Sequence, residues 1–111
     1  MSDTKLMLSA FRRMVKSDLQ GGTVSLGNAA YDCTVGIFSK RDVMVSNGIS
    51  SMLIGDVQVA LEDFPDGMEF TLGLEVTVVP NTGKTRQCTL FTTDYSGPLV
   101  ILNLHDANES A

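Results

Sequence analysis

A chain of 111 residues with two cysteines, no tryptophan and a formal charge of −5 has room for one domain. Such a domain buries roughly two-thirds of its unfolded surface in a single core, without a disulfide or metal to hold it. The negative balance argues against general nucleic-acid binding, whose affinity comes from lysine and arginine set against phosphates. No apolar run reaches the ~20 residues of a membrane-spanning helix, so no membrane partner is expected.

Lys5, Arg12, Arg13 and Lys16 interrupt every apolar run near the N-terminus, unlike a secretory signal. Cys33 and Cys88 are therefore expected to stay reduced and semi-buried in a cytoplasm. The same four cations are half of the eight basic residues, whereas residues 42–75 carry seven acidic residues and no basic one. Opposite patches on one small domain suit head-to-tail contact between identical subunits, which closes as a ring or continues as a filament.

Ser2 or Asp3 can cap a helix over residues 3–20. Its apolar positions Met7, Leu8, Phe11, Met14, Val15 and Leu19 recur at three- and four-residue spacing, and Gly21-Gly22 closes it. A lone amphipathic helix must bury its stripe, and the apolar face of the later β-meander is the expected surface. Thr23–Leu26, a turn at Gly27-Asn28 and Ala30–Phe38 form a hairpin, with Tyr31, Cys33, Val35 and Ile37 on one face. The pattern then dissolves. Residues 39–53 read as a long loop with a turn signal at Asn47-Gly48 and with Val43, Met44, Val45 and Ile49 lacking local cover. A loop this long in a compact domain is usually functional, so a partner is expected there.

Asp56–Glu62 alternates as a half-buried strand that Phe64-Pro65-Asp66-Gly67 terminates. From Met68 to Val78 the even positions are apolar, the phase surviving Gly73, which predicts one bent strand or a three-residue loop. Turn formers at Pro80–Gly83 and Asp94–Pro98 separate this run from 84–93 and from Leu99–Leu104, giving an antiparallel meander. Residues 105–111 are polar and expected to fray. The predicted fold is mainly β: a small antiparallel β-barrel or sandwich of six to seven strands with one N-terminal amphipathic helix and a long loop.

Chemistry-bearing motifs are missing. Gly83-Lys84-Thr85 resembles the end of a phosphate-binding loop, but Val78 stands where the motif needs glycine and a strand follows instead of a helix. His105 is the single histidine, too few for a metal site or a nucleophile's base. Glu62, Asp63 and Asp66 lack calcium-loop spacing and read as a solvated turn. Asn108-Glu109-Ser110 matches a glycosylation acceptor by chance. No catalytic, cofactor or metal residue is expected, and the chain does not read as an enzyme.

A short N-terminal helix, a strand Asp32–Phe38, a long polar segment, an alternating strand and a Gly-punctuated meander ending Leu-Val-Ile-Leu-Asn-Leu follow one another. This order resembles the small head-tail joining, or head-closure, proteins in the necks of long-tailed bacteriophages. The resemblance implies a virion protein assembled in the host cytoplasm. It implies a homo-oligomeric ring between the portal or adaptor and the tail proteins that retains packaged DNA, with passive DNA contact in the channel through Lys40, Arg41, Lys84 and Arg86. It also implies a segment 39–53 that is mobile in the free protein and ordered in the ring. A tail-tube or tail-terminator subunit, and a monomeric small β-barrel that binds an oligonucleotide or ligand, are the alternatives. The predicted subunit interface sets Arg12, Arg13 and Lys16 against Asp56, Glu62, Asp63 and Asp66, together with Val43, Met44, Val45, Asn47, Ile49 and Met52.

Overall fold

The computed structural model describes residues 3–46 and 48–106. Among the described residues a helix, α1 (Asp3–Val15), precedes seven strands: β1 (Gly21–Leu26), β2 (Ala29–Val35), β3 (Ser39–Val45), β4 (Gly48–Ala60), β5 (Glu75–Pro80), β6 (Arg86–Ser96) and β7 (Leu99–Asp106), with a 3-10 turn at Leu61–Asp63 after β4. All strand pairs are antiparallel, in the order β2-β1-β5-β6-β7-β4-β3. Pairing of Thr34 with Gln58 and Val35 with Val57 joins β2 to β4, closing six strands into a barrel and leaving β3 as the extra strand.

The barrel interior is the core. Alternation turns Val100, Leu102 and Leu104 of β7 inward to meet Val57 and Val59 of β4, Val24 of β1, Val76 and Val78 of β5, and Leu90 of β6, all at most 1% exposed. β-Branched residues dominate because they fit the pleated wall and lose little rotamer freedom there. Tyr31, Phe64 and Phe70 gather at tilted and edge-on ring contacts of 4.5 and 5.1 Å against this core.

The β5-β6-β7 meander is present as expected, with shifted boundaries. Leu74 donates to the Thr71 carbonyl across a tight turn, and Gly73 takes φ 87°, so Met68–Leu74 is not strand and Leu72 is thrown outward. The alternation from Met68 thus overstated β5. Asp94–Ser96 belong to β6, because Gly97-Pro98 is a two-residue turn whose first residue has φ 57°. His105 and Asp106 continue β7 as partners of Ile54 and Leu53, which corrects the reading of a fraying tail from residue 105. Residues 107–111 lie outside the described residues.

The helix is shorter than its apolar spacing predicted and packs elsewhere. Phe11 and Val15, with Leu8, bury against Ala60 and Leu99 on the outer wall of the barrel, since the meander's apolar face is already turned inward. Asn81 ends the helix: its Nδ2 donates to the carbonyls of Val15 and Ser17 at 2.9 and 3.0 Å. Leu19 consequently lies off the helix and is 90% exposed. Gly21 follows directly, where any Cβ would overlap the Val15 carbonyl and come within 2.5 Å of Asn81 Nδ2.

Candidate assembly site

Residues 39–53, expected as a loop, form a ribbon. β3 pairs with the first half of β4 from Ser39↔Ile54 to Val45↔Gly48, and this ladder runs out past the barrel as a two-stranded arm. The polar composition hid it, because a ribbon with both faces toward solvent has no apolar alternation to read. β2 and β3 follow the same flank of β4, interrupted at Gly36–Phe38. There Gly36 N–H donates to the Asp56 carbonyl at 2.8 Å and the Phe38 ring folds over Gly55, where a Cβ would lie 2.5 Å from it. Ile37, expected inward, is 88% exposed at this kink.

Beneath the arm, the Arg86 guanidinium lies 4.8 Å from the Phe38 ring centroid and donates to Asp106 at 3.2 Å. Asp106 is 2% exposed, so this cation, desolvated on one side by an aromatic face, helps hold a carboxylate out of water. Arg86 is thus held between Phe38 and Asp106, with its side chain 22% exposed.

Met44 and Ile49, cross-strand partners near the arm's tip, are 78% and 71% exposed. Met52 is half-buried, while the Val43 and Val45 backbones pair with Ser50 and Gly48. Asn47 lies outside the described residues. At the arm's base, Met52, Ile54, Phe91 and His105 line an apolar pocket of about 230 Å³. Phe91 reaches it because a register shift between Leu90 and Thr92 inserts one extra residue into β6. Ile54, Phe91 and His105 were missed as site residues. The one sequence signal was Leu90-Phe91, two large apolar residues side by side in an alternating run. His105 Nδ1 is buried with no hydrogen-bond partner.

Part of the predicted charge pairing is made within the chain. Arg12 reaches both Asp63 oxygens at 2.7 Å and Glu62 at 3.1 Å, and the hydrogen bonds to Asp63 raise its pKa further. Helix and 3-10 turn thereby close on each other, so Arg12, Glu62 and Asp63, expected at the subunit interface, pair with one another within one copy. Arg13, Lys16 and Asp66 are exposed, and Asp56 is half-buried in β4 against Gly36.

Both thiols are free and buried. Desolvation pushes each pKa from the ordinary 9.0 up to about 12, helped by the charges of Asp32 for Cys33 and Asp106 for Cys88, with Arg86 opposing at the latter. Between these values the unfolded chain has lost thiol protons that the folded chain keeps. Stability is therefore unaffected below pH 9 and falls as pH rises toward 12, by up to about 1.4 kcal/mol per pH unit for each thiol. Chemical denaturation across that range should show the slope, and Cys88→Ala should remove about half of the thiol part. An unchanged slope in Cys88→Ala would show that this thiol titrates normally in the fold.

Among the described residues, no group of three or more His, Cys, Asp or Glu is placed to hold a metal, and no helix is long and apolar enough to cross a membrane. No protein-family model, curated protein or solved structure matches this chain.

Proposed function

We propose that this chain is a structural subunit that assembles into a ring through its projecting arm. We further propose that the ring belongs to the neck of a long-tailed phage particle, between portal or adaptor and tail, where it helps retain packaged DNA. The observation that carries the assembly reading is the arm itself: a ribbon standing off a closed barrel with Met44 and Ile49 at 78% and 71% exposure near its tip. An isolated two-stranded ribbon gains little stability alone, and large aliphatic side chains held in water gain from a second surface. The helix, small barrel and long segment after the early strands suit the head-closure resemblance. Lys40 and Arg41, exposed on the arm, and Lys84, exposed ahead of β6, are cations suited to passive contact with DNA in a channel.

Replacing residues 43–50 by Asn-Gly joins the cross-strand partners Asp42 and Ser51 through a two-residue turn. Because β4 pairs with its barrel neighbour β7 only from Leu53 onward, unfolding free energy should shift by less than about 1 kcal/mol. Assembly, read as sedimentation of the purified protein and its entry into particles, should be lost. A shortened arm that still assembles would remove the arm from the function. Electron micrographs of labelled particles test the location: label at the head-tail joint supports the neck reading, and label along the tube or at the tail's end points to a tail subunit.

A further inference from the structure

Building on the reading of the chain as a self-assembling subunit, we propose that successive copies mate head to tail through the two faces of the arm. Met44 and Ile49 of one copy seat against Met52, Ile54, Phe91 and His105 of the next.

Register decides the faces. Met44 pairs with Ile49, Asp42 with Ser51, Arg41 with Met52 and Ser39 with Ile54. Cross-strand partners share a face and successive residues alternate. Met44, Ile49 and Asp42 therefore stand on one side of the ribbon, and Arg41, Met52 and Ile54 on the other. The second side continues onto the outer wall of the barrel, where Ile54 pairs with His105 and the bulged Phe91 lies 6.4 Å from the His105 ring. One face thus carries an apolar knob and the opposite face an apolar pocket of about 230 Å³.

Knob and pocket on opposite faces of one ribbon cannot meet within a single copy. A two-fold pairing through like faces would set knob on knob and leave both pockets open, whereas a head-to-tail pairing fills one pocket per contact and leaves one knob and one pocket for further copies. The charges nearest the two surfaces agree with this arrangement. Asp42 is exposed two residues from Met44, with Lys40 exposed on the same face but two residues farther from the knob, and Arg41 is exposed on the pocket face opposite Met52. Stacking the two faces brings Asp42 of one copy toward Arg41 of the next, while knob on knob would oppose Asp42 to Asp42.

Mixing copies that carry only Met44→Cys with copies that carry only Met52→Cys, under native oxidation, tests the contact, because Cys33 and Cys88 are buried. A disulfide-linked dimer from the mixture, with neither variant linking alone, is the expected result. Asp42→Arg in the first copy should suppress the link, and Arg41→Asp in the second should restore it. Homodimers of Met44→Cys alone would overturn the proposal in favour of a two-fold contact. If the unmodified protein sediments as an oligomer but the mixture yields no link, the contact is wrong and the self-assembly reading stands. If it sediments as a monomer at every concentration, both fall.

Discussion

Leu102→Ala is expected to cost about 3–5 kcal/mol, read as a drop in the urea midpoint at unchanged slope. Leu102 is 0% exposed at the middle of β7, paired across the ladder with Val57, also at 0%. Truncation forfeits the transfer of its side chain and leaves a cavity inside a closed wall, and a barrel closed by the β2–β4 pairing has no free edge along which to collapse around it. Ile101→Ala, one residue earlier on the half-exposed outer face, should cost about 1 kcal/mol. Comparable losses at both positions would mean that β7 does not present alternate residues to an interior core.

Arg86→Met should be as damaging, at about 3–5 kcal/mol, through a different mechanism. The substitution keeps aliphatic bulk over Phe38 but removes the cation 3.2 Å from Asp106, leaving a carboxylate that is 2% exposed without that compensation. The double variant with Asp106→Asn should recover most of the loss, since the remaining side chain is neutral and only the hydrogen bond is missing. A single variant that loses under about 1 kcal/mol would show that Asp106 does not depend on Arg86.

These two sites differ in how much of them was legible beforehand. The run Leu99–Leu104 announces a buried strand by itself, and both turn clusters around β6 stood out as glycine- and proline-bearing sites. Nothing nearby in sequence announces that Arg86 and Asp106, 20 residues apart, meet under Phe38. The cation-bearing helix face was equally visible, but that Arg12 meets Asp63 and Glu62, 51 and 50 residues away, was not.

Local chemistry determined the elements that depend on side-chain alternation and on glycine in turns: the β1–β2 hairpin, β5 to β7, and a helix starting near Asp3. These are set by the pleat and by φ at Gly27 and Gly97, both short-range properties of the chain. Tertiary structure decided the rest. The helix ends at Val15 because Asn81, 66 residues from Val15, takes its last carbonyls. Residues 39–53 became an arm because β4 continues past the barrel and offers backbone donors and acceptors that β3 can satisfy whatever its side chains. A ladder is a bond between backbones, and backbones carry no sequence signature; only the closed barrel, by fixing where β4 begins and points, selected which segment would pair with it.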